Sequence, residues 1–414
     1  MSHQDARSTT GHTFRLLGPA FVAAIAYVDP GNVAANITAG ARYGYLLVWV
    51  LLASNIAAML IQYLSAKLGI VTGDSLPAIL GKRLGKHARR AYWLQAELVA
   101  AATDLAEVIG GALALHLLFG LPLLWGGVIV GIVSMALLVL QGKGRQHRFE
   151  FAIIALLVII TLGFLAGLVI APPNWQETAG GLLPRFAGAD SVLVAASMLG
   201  ATVMPHAVYL HSSLVNDRHH HKGARTAARI RQLLKATRID VLWALSLAGV
   251  VNIGLLLLAA SSLQGVEGTD TIEGAHSAIN TALGTGIGAI FAVGLLASGL
   301  ASTSVGAYAG SEIMKGLLHI RVPILWRRIV TLLPALVILA AGAEPTWALV
   351  LSQVLLSFGI PLAIIPLILL TSSRQVMGEF VDRVPTRIAA GAVAFLIVAL
   401  NLLLVYLTIA EAIQ

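Results

Sequence analysis

Uninterrupted apolar runs of about 20 residues recur along the whole chain, and no other feature restricts its fold so tightly. A run of that length crosses the hydrocarbon of a bilayer as a helix, because lipid offers no partner for backbone amides and carbonyls. The runs do not alternate over ten-residue segments, as barrel strands would. With 58% hydrophobic and 11% charged residues and a mean hydropathy of +0.87, the chain lies outside the range of water-soluble domains. The expected fold class is therefore an all-α membrane protein, with no soluble domain long enough to stand alone.

Turn signals and charges taken as boundaries give eleven spans, at roughly residues 16–39, 45–70, 92–118, 121–140, 150–171, 192–215, 241–263, 284–314, 328–343, 346–371 and 388–410. The polar stretch 1–15 reads as a cytoplasmic tail that enters the first span directly, unlike a cleavable signal. With the N-terminus inside, the clusters Lys82 to Arg90, Lys143 to Arg148, Arg218 to Arg238, Lys315 to Arg328 and Arg374 to Arg387 all face the cytoplasm. Only Arg42 and Arg185, of 27 Lys and Arg, fall outside. The outer loops carry acids instead: Glu177, Asp190, Glu267, Asp270, Glu273 and Glu344. This asymmetry implies a multi-pass protein of the inner (plasma) membrane with its C-terminus outside. It also accounts for the net charge of +8 without a nucleic-acid partner.

Two spans carry a proline in mid-membrane, within DPGN (Asp29 to Asn32) and MPH (Met204 to His206). The breaks lie five spans apart, and a unit with an odd number of crossings must recur upside down. The expectation is two inverted five-helix repeats at 16–171 and 192–371, with 388–410 as an additional helix. Paired interruptions in inverted halves point to a binding site at the midplane.

The residues at the breaks suggest what binds. A carboxylate near the bilayer centre costs on the order of 2.5 to 3.5 kcal/mol, so Asp29 requires a compensating partner. Pro30 and Gly31 loosen the chain so that unwound carbonyls such as that of Ala26 can face an ion, and Asn32 offers an amide oxygen. The structural alternative for Asn32 is a cap on the half-helix after the break. In the second break Pro205 frees the carbonyl of Ala201 or a neighbour, and Met204 presents a thioether. The chain has no cysteine, so a metal would be held by oxygen, nitrogen or thioether. A thioether favours Mn²⁺, Fe²⁺, Co²⁺ or Cd²⁺ over Mg²⁺ or Ca²⁺.

Asp104 and Glu107 stand three residues apart on one face of the third span and suggest a proton path. His206 is either a relay or a hydrogen-bonded structural histidine. Arg327, Arg328 and Arg218 are candidate partners for these acids. Gln353 could add an amide oxygen or bond helix to helix, whereas Ser302, Thr303 and Ser304 read as packing and interhelical hydrogen bonds. His219, His220 and His221 read as a solvated loop.

DPGN together with MPH resembles the Nramp family of proton-coupled divalent metal transporters, and closely its bacterial manganese-transporting branch. The stretches GPAFVAAIAYVDPGN, QAELVAAATDLAE, LGATVMPHAVYLHSS, RRIVTLLP and LSQVLLSFG are similar to that branch too, covering residues 16–371. The resemblance implies the inverted-repeat fold of the sodium-coupled amino acid transporters. It implies metal binding by Asp29, Asn32, Met204 and the carbonyls of Ala26 or Ala201, with Gln353 joining in some states. It also implies a proton route through Asp104, Glu107, His206, Arg327 and Arg328, with His211 lining an inner vestibule. The metal would be cargo and no cofactor is expected; protons and the lipid bilayer are the other partners, and no obligatory protein partner is inferred. A sodium-coupled amino acid carrier would not place an aspartate against its substrate's carboxylate. An intramembrane metallohydrolase would need a motif such as HExxH, and none occurs. Loops and tails this short leave no room for the signalling domain of a sensor.

Overall fold

A computed structural model describes residues 18–139, 146–218, 226–269, 271–320, 322–342 and 344–413. The tail 1–15, His219 to His221, Lys143 and Arg145 lie outside the described residues. Among those residues the chain is helical, with no strand. The first span expected from the sequence corresponds to α1 (Pro19–Ala24), a 3-10 turn (Ile25–Val28) and α2 (Pro30–Tyr43). Next come α3 (Val48–Thr72), α4 (Leu76–Arg83), α5 (Lys86–Phe119), α6 (Leu123–Val139), α7 (Gln146–Ile170) and α8 (Trp175–Gly180). The second broken span is α9 (Ala189–Thr202) and α10 (Pro205–Arg218). The chain closes with α11 (Ala227–Ser262), α12 (Ile272–Leu283), α13 (Thr285–Leu318), α14 (Ile324–Ala340), α15 (Pro345–Thr371), α16 (Arg374–Met377) and α17 (Val384–Ile413).

Seven of these stretches have the length and hydropathy of a membrane span, counting Ala189–Arg218 as one. An eighth is reached if the pair Leu355–Thr371 and Arg374–Phe380, bent by 68°, is one crossing. Pro19–Val28 and Leu123–Val139 are apolar but shorter. The protein is thus a multi-pass membrane protein.

Burial separates these helices into centre and periphery. The most apolar windows of α5 and of the broken span 189–218 are 83% buried, against 17% for that of α17. The interior is packed closely: α7 meets α13 at Gly163 and Gly294, where a Cβ on Gly163 would stand 2.7 Å from the Gly294 Cα. Both broken spans lie inside a shell formed by α3, α5, α11, α13 and α15. The twelve-residue helix α12, capped by Thr271, falls in an interval that the apolar runs leave as a loop.

Candidate metal centre

Each break is made by a proline at a helix start. Pro30 occupies the first turn of α2 and Pro205 that of α10, where a missing N–H costs nothing because that donor has no helical partner. Asp29 is extended, with ψ 169°, and caps α2: its Oδ1 accepts from the Asn32 amide at 2.7 Å. This corrects the structural alternative for Asn32, since Asp29 is the cap. Asn32 instead donates from Nδ2 to Asp29 Oδ1 at 2.8 Å and to the Ala201 carbonyl at 2.9 Å. The second of these bonds ties one break to the other across 169 residues.

The bonds leave one oxygen on each side chain. Asp29 Oδ2 and Asn32 Oδ1 are buried without a hydrogen-bond partner. A buried carboxylate oxygen left this way is costly unless a cation meets it. The unwound carbonyls beside them are held from other helices, that of Tyr27 by Asn252 Nδ2 at 2.6 Å and that of Val28 by Ser298 Oγ at 2.5 Å. Asn252 Oδ1 in turn accepts from Asn36 Nδ2 at 2.8 Å. Ala26 is buried inside the same 3-10 turn.

Met204 is fully buried in the second break, between Val203 and Pro205. Gln353 of α15 reaches both breaks. Its side-chain amide fills the space a side chain on Gly31 would need, and its backbone carbonyl oxygen lies 3.5 Å from where a Gly200 Cβ would stand. Its Oε1 is buried without a partner. Met204 and Pro205 stand in the break itself, three and four residues after Ala201, whose carbonyl accepts from Asn32. Among the described residues no group of three or more His, Asp or Glu is placed to hold a metal.

The acids of α5 divide into two kinds. Arg328, the largest fully buried side chain, donates to both oxygens of Asp104 and to Ser134 Oγ at 3.0 Å, while Thr303 Oγ1 adds a bond to Asp104 at 2.7 Å. Arg327 pairs with Glu97. Glu107, fully buried within electrostatic reach of Asp29, Asp104 and Arg328, has no hydrogen bond to either carboxylate oxygen. Arg218 joins neither arginine pair; it ends α10 beside Asp217, which accepts from Tyr308 at 2.5 Å.

His206 Nδ1 makes a long contact, 3.4 Å, with the Thr103 hydroxyl, whose proton goes to Val99. His211 Nδ1 donates to Gln62 Oε1 at 2.7 Å, and Gln62 Nε2 donates to the Tyr27 hydroxyl at 2.6 Å. Both histidines keep a buried Nε2 with no partner.

A protein-family model for natural resistance-associated macrophage protein-like chains matches residues 20–407, a stretch that contains both breaks and every residue of the site. The chain belongs to the Nramp family. Among Nramp relatives, the divalent metal cation transporter MntH of Mycobacterium tuberculosis is 56% identical over 406 residues, covering 98% of this chain and 94% of its own. The MntH of Bacillus subtilis is 45% identical over 392 residues, 94% of this chain and 91% of its own. A crystal structure of the Eremococcus coleocola manganese transporter superposes with a TM-score of 0.86 at 29% identity, covering 97% of this chain and 87% of that one. A more distant likeness, TM-score 0.64 at 14% identity over 94% of this chain and 97% of that one, links the Nramp fold to MhsT, solved in complex with L-phenylalanine.

Sequence reasoning missed several residues of this Nramp centre. Glu97 stands two helical turns before Asp104 on α5, a spacing that puts the two acids on one face and could have drawn attention. Gln62, Asn252 and Ser298 carried no signal, because each reaches the breaks only through tertiary packing.

Proposed function

We propose that this chain imports divalent transition metal ions, Mn²⁺ foremost with Fe²⁺, Co²⁺ and Cd²⁺ accepted, across the inner membrane together with protons. The observation that carries this reading is the pair of buried oxygens without partners, Asp29 Oδ2 and Asn32 Oδ1, at two helix breaks joined by the Asn32 to Ala201 hydrogen bond. A dehydrated cation supplies the charge that site lacks. Asp29, Asn32, Gln353 and the carbonyls of Ala26 and Ala201 are the oxygen donors, and Met204 is the soft donor that disfavours Mg²⁺ and Ca²⁺. For Ala201 to ligate, the Asn32 amide must turn away from its carbonyl. That turn also removes one of the two donors on Asp29 Oδ1, which stays bonded to the Asn32 backbone N–H.

The proton route runs from Glu107, the acid without an arginine, past the Asp104–Arg328 and Glu97–Arg327 pairs. His206 and His211 line the inward side, where their unpartnered Nε2 atoms accept protons. Arg218 stands at the cytoplasmic end of α10. The architecture read for this activity has eleven spans: two inverted five-helix repeats, 16–171 and 192–371, with 388–410 added. The N-terminal tail is cytoplasmic and the C-terminus outside. The fold shared with MhsT and the peripheral position of α17 support that division. Alternating access follows when one repeat rocks against the other around the breaks. The metal is substrate, and no resident cofactor is invoked.

The test is uptake into proteoliposomes with Mn²⁺, Fe²⁺, Cd²⁺, Zn²⁺, Mg²⁺ and Ca²⁺ compared under imposed pH and voltage gradients. Mn²⁺ uptake accelerated by an inward proton gradient is expected. Equal Mg²⁺ and Mn²⁺ uptake would remove the role given to Met204, and uptake indifferent to the proton gradient would remove the coupling.

A further inference from the structure

Away from both breaks, a groove of about 600 Å³ opens between α3, α11 and the segment that joins α16 to α17. Its wall is apolar, with Leu60 on one side and Leu242, 45% exposed, on the other. Its rim carries two cations, Arg238 and Arg383, with Lys67 buried behind them. Both acids that line the groove are already engaged. Asp382 is held by buried Lys67 at 2.5 Å, and Glu379 pairs with Arg231 at 3.0 Å. Arg238 and Arg383 are exposed and make no ion pair among the described residues, so two guanidinium groups stand at the mouth of an apolar cleft.

That combination matches one chemistry. Guanidinium groups hold a phosphate diester by charge-assisted hydrogen bonds, and an apolar wall on membrane-facing helices accepts acyl chain. A soluble phosphate would leave the wall unused, and an uncharged lipid would leave the rim unused. We propose that the groove holds one anionic phospholipid, its phosphate between Arg238 and Arg383 and its chains along Leu60 and Leu242. The site is distinct from the metal centre and rests on the proposed orientation only for the leaflet, the cytoplasmic one. It would fasten the α16–α17 connection to the helices carrying the groove.

The test is native mass spectrometry of the detergent-purified full chain after incubation with phosphatidylglycerol or phosphatidylcholine of the same acyl length, with glycerol 1-phosphate as a competitor. Wild type should retain phosphatidylglycerol in preference to phosphatidylcholine, and glycerol 1-phosphate should not displace it. The double substitution Arg238→Gln with Arg383→Gln should lower that preference roughly 30-fold, as two surface cations lost imply. Equal retention of both lipids by wild type, displacement by glycerol 1-phosphate, or unchanged preference in the double variant would each overturn the proposal. The wild-type arms hold even if the variant fails to fold. Mn²⁺ uptake by the double variant, measured in parallel in phosphatidylcholine liposomes, should persist, so loss of the lipid site and loss of metal transport are read separately.

Discussion

Two kinds of acid, all buried except the partly buried Glu97, lie near one another, and the contrast between them is the most informative feature of the molecule. Asp104 and Glu97 each face an arginine from α14, and Asp104 also has Thr303, so their charge is compensated by the protein itself. Asp29 and Glu107 face no arginine in direct contact, and three of their four carboxylate oxygens lack any hydrogen bond. A fixed ion pair builds structure, whereas an acid left without one is a place for a cation that comes and goes. In the proposed mechanism the paired acids are the frame and the unpaired ones the working sites.

The comparison can be broken at several points. Asp29→Ala should abolish Mn²⁺ uptake in proteoliposomes while thermal unfolding shows a loss of only about 1 kcal/mol for the α2 cap, since no arginine is orphaned. Arg328→Ala should behave in the opposite way: Asp104 is left buried and uncompensated, and thermal unfolding in detergent should show a loss of about 3–5 kcal/mol. Glu107→Gln removes a titrating group without touching a metal donor, so the pH profile of uptake should flatten while Mn²⁺ affinity moves by less than about tenfold. Met204→Ala should keep uptake but lower discrimination of Mn²⁺ over Ca²⁺ in competition assays by roughly tenfold. Thr303→Val should cost only about 1 kcal/mol of stability, because Arg328 still satisfies Asp104.

Much of this is legible in the sequence for a physical reason. A proline or a carboxylate inside an apolar run contradicts its surroundings, so Asp29, Pro30, Met204, Pro205, Asp104 and Glu107 stand out from the residue pattern alone. What stays hidden depends on contacts distant in sequence. Glu97 lies near the end of its span and gains its partner only through packing, which sets Arg327, 230 positions away, against it. The Asn32 amide reads as a choice between cap and ligand, yet it bonds Asp29 and Ala201 while Asp29 caps the helix. Asp240 shows the same limit. It accepts from the Gly18 and Ala20 amides and so closes the start of α1, 220 residues or more away. The two arginines are recognisable as partners for acids, but which acid each takes is set by the packing of α14 against α5.

Isothermal titration of Mn²⁺ into wild type, Asp29→Ala and Glu97→Gln tests the division most directly. Asp29→Ala should lose Mn²⁺ binding, while Glu97→Gln, at an acid of the frame, should bind as wild type does. Normal binding by Asp29→Ala, or loss of binding by a folded Glu97→Gln, would contradict it.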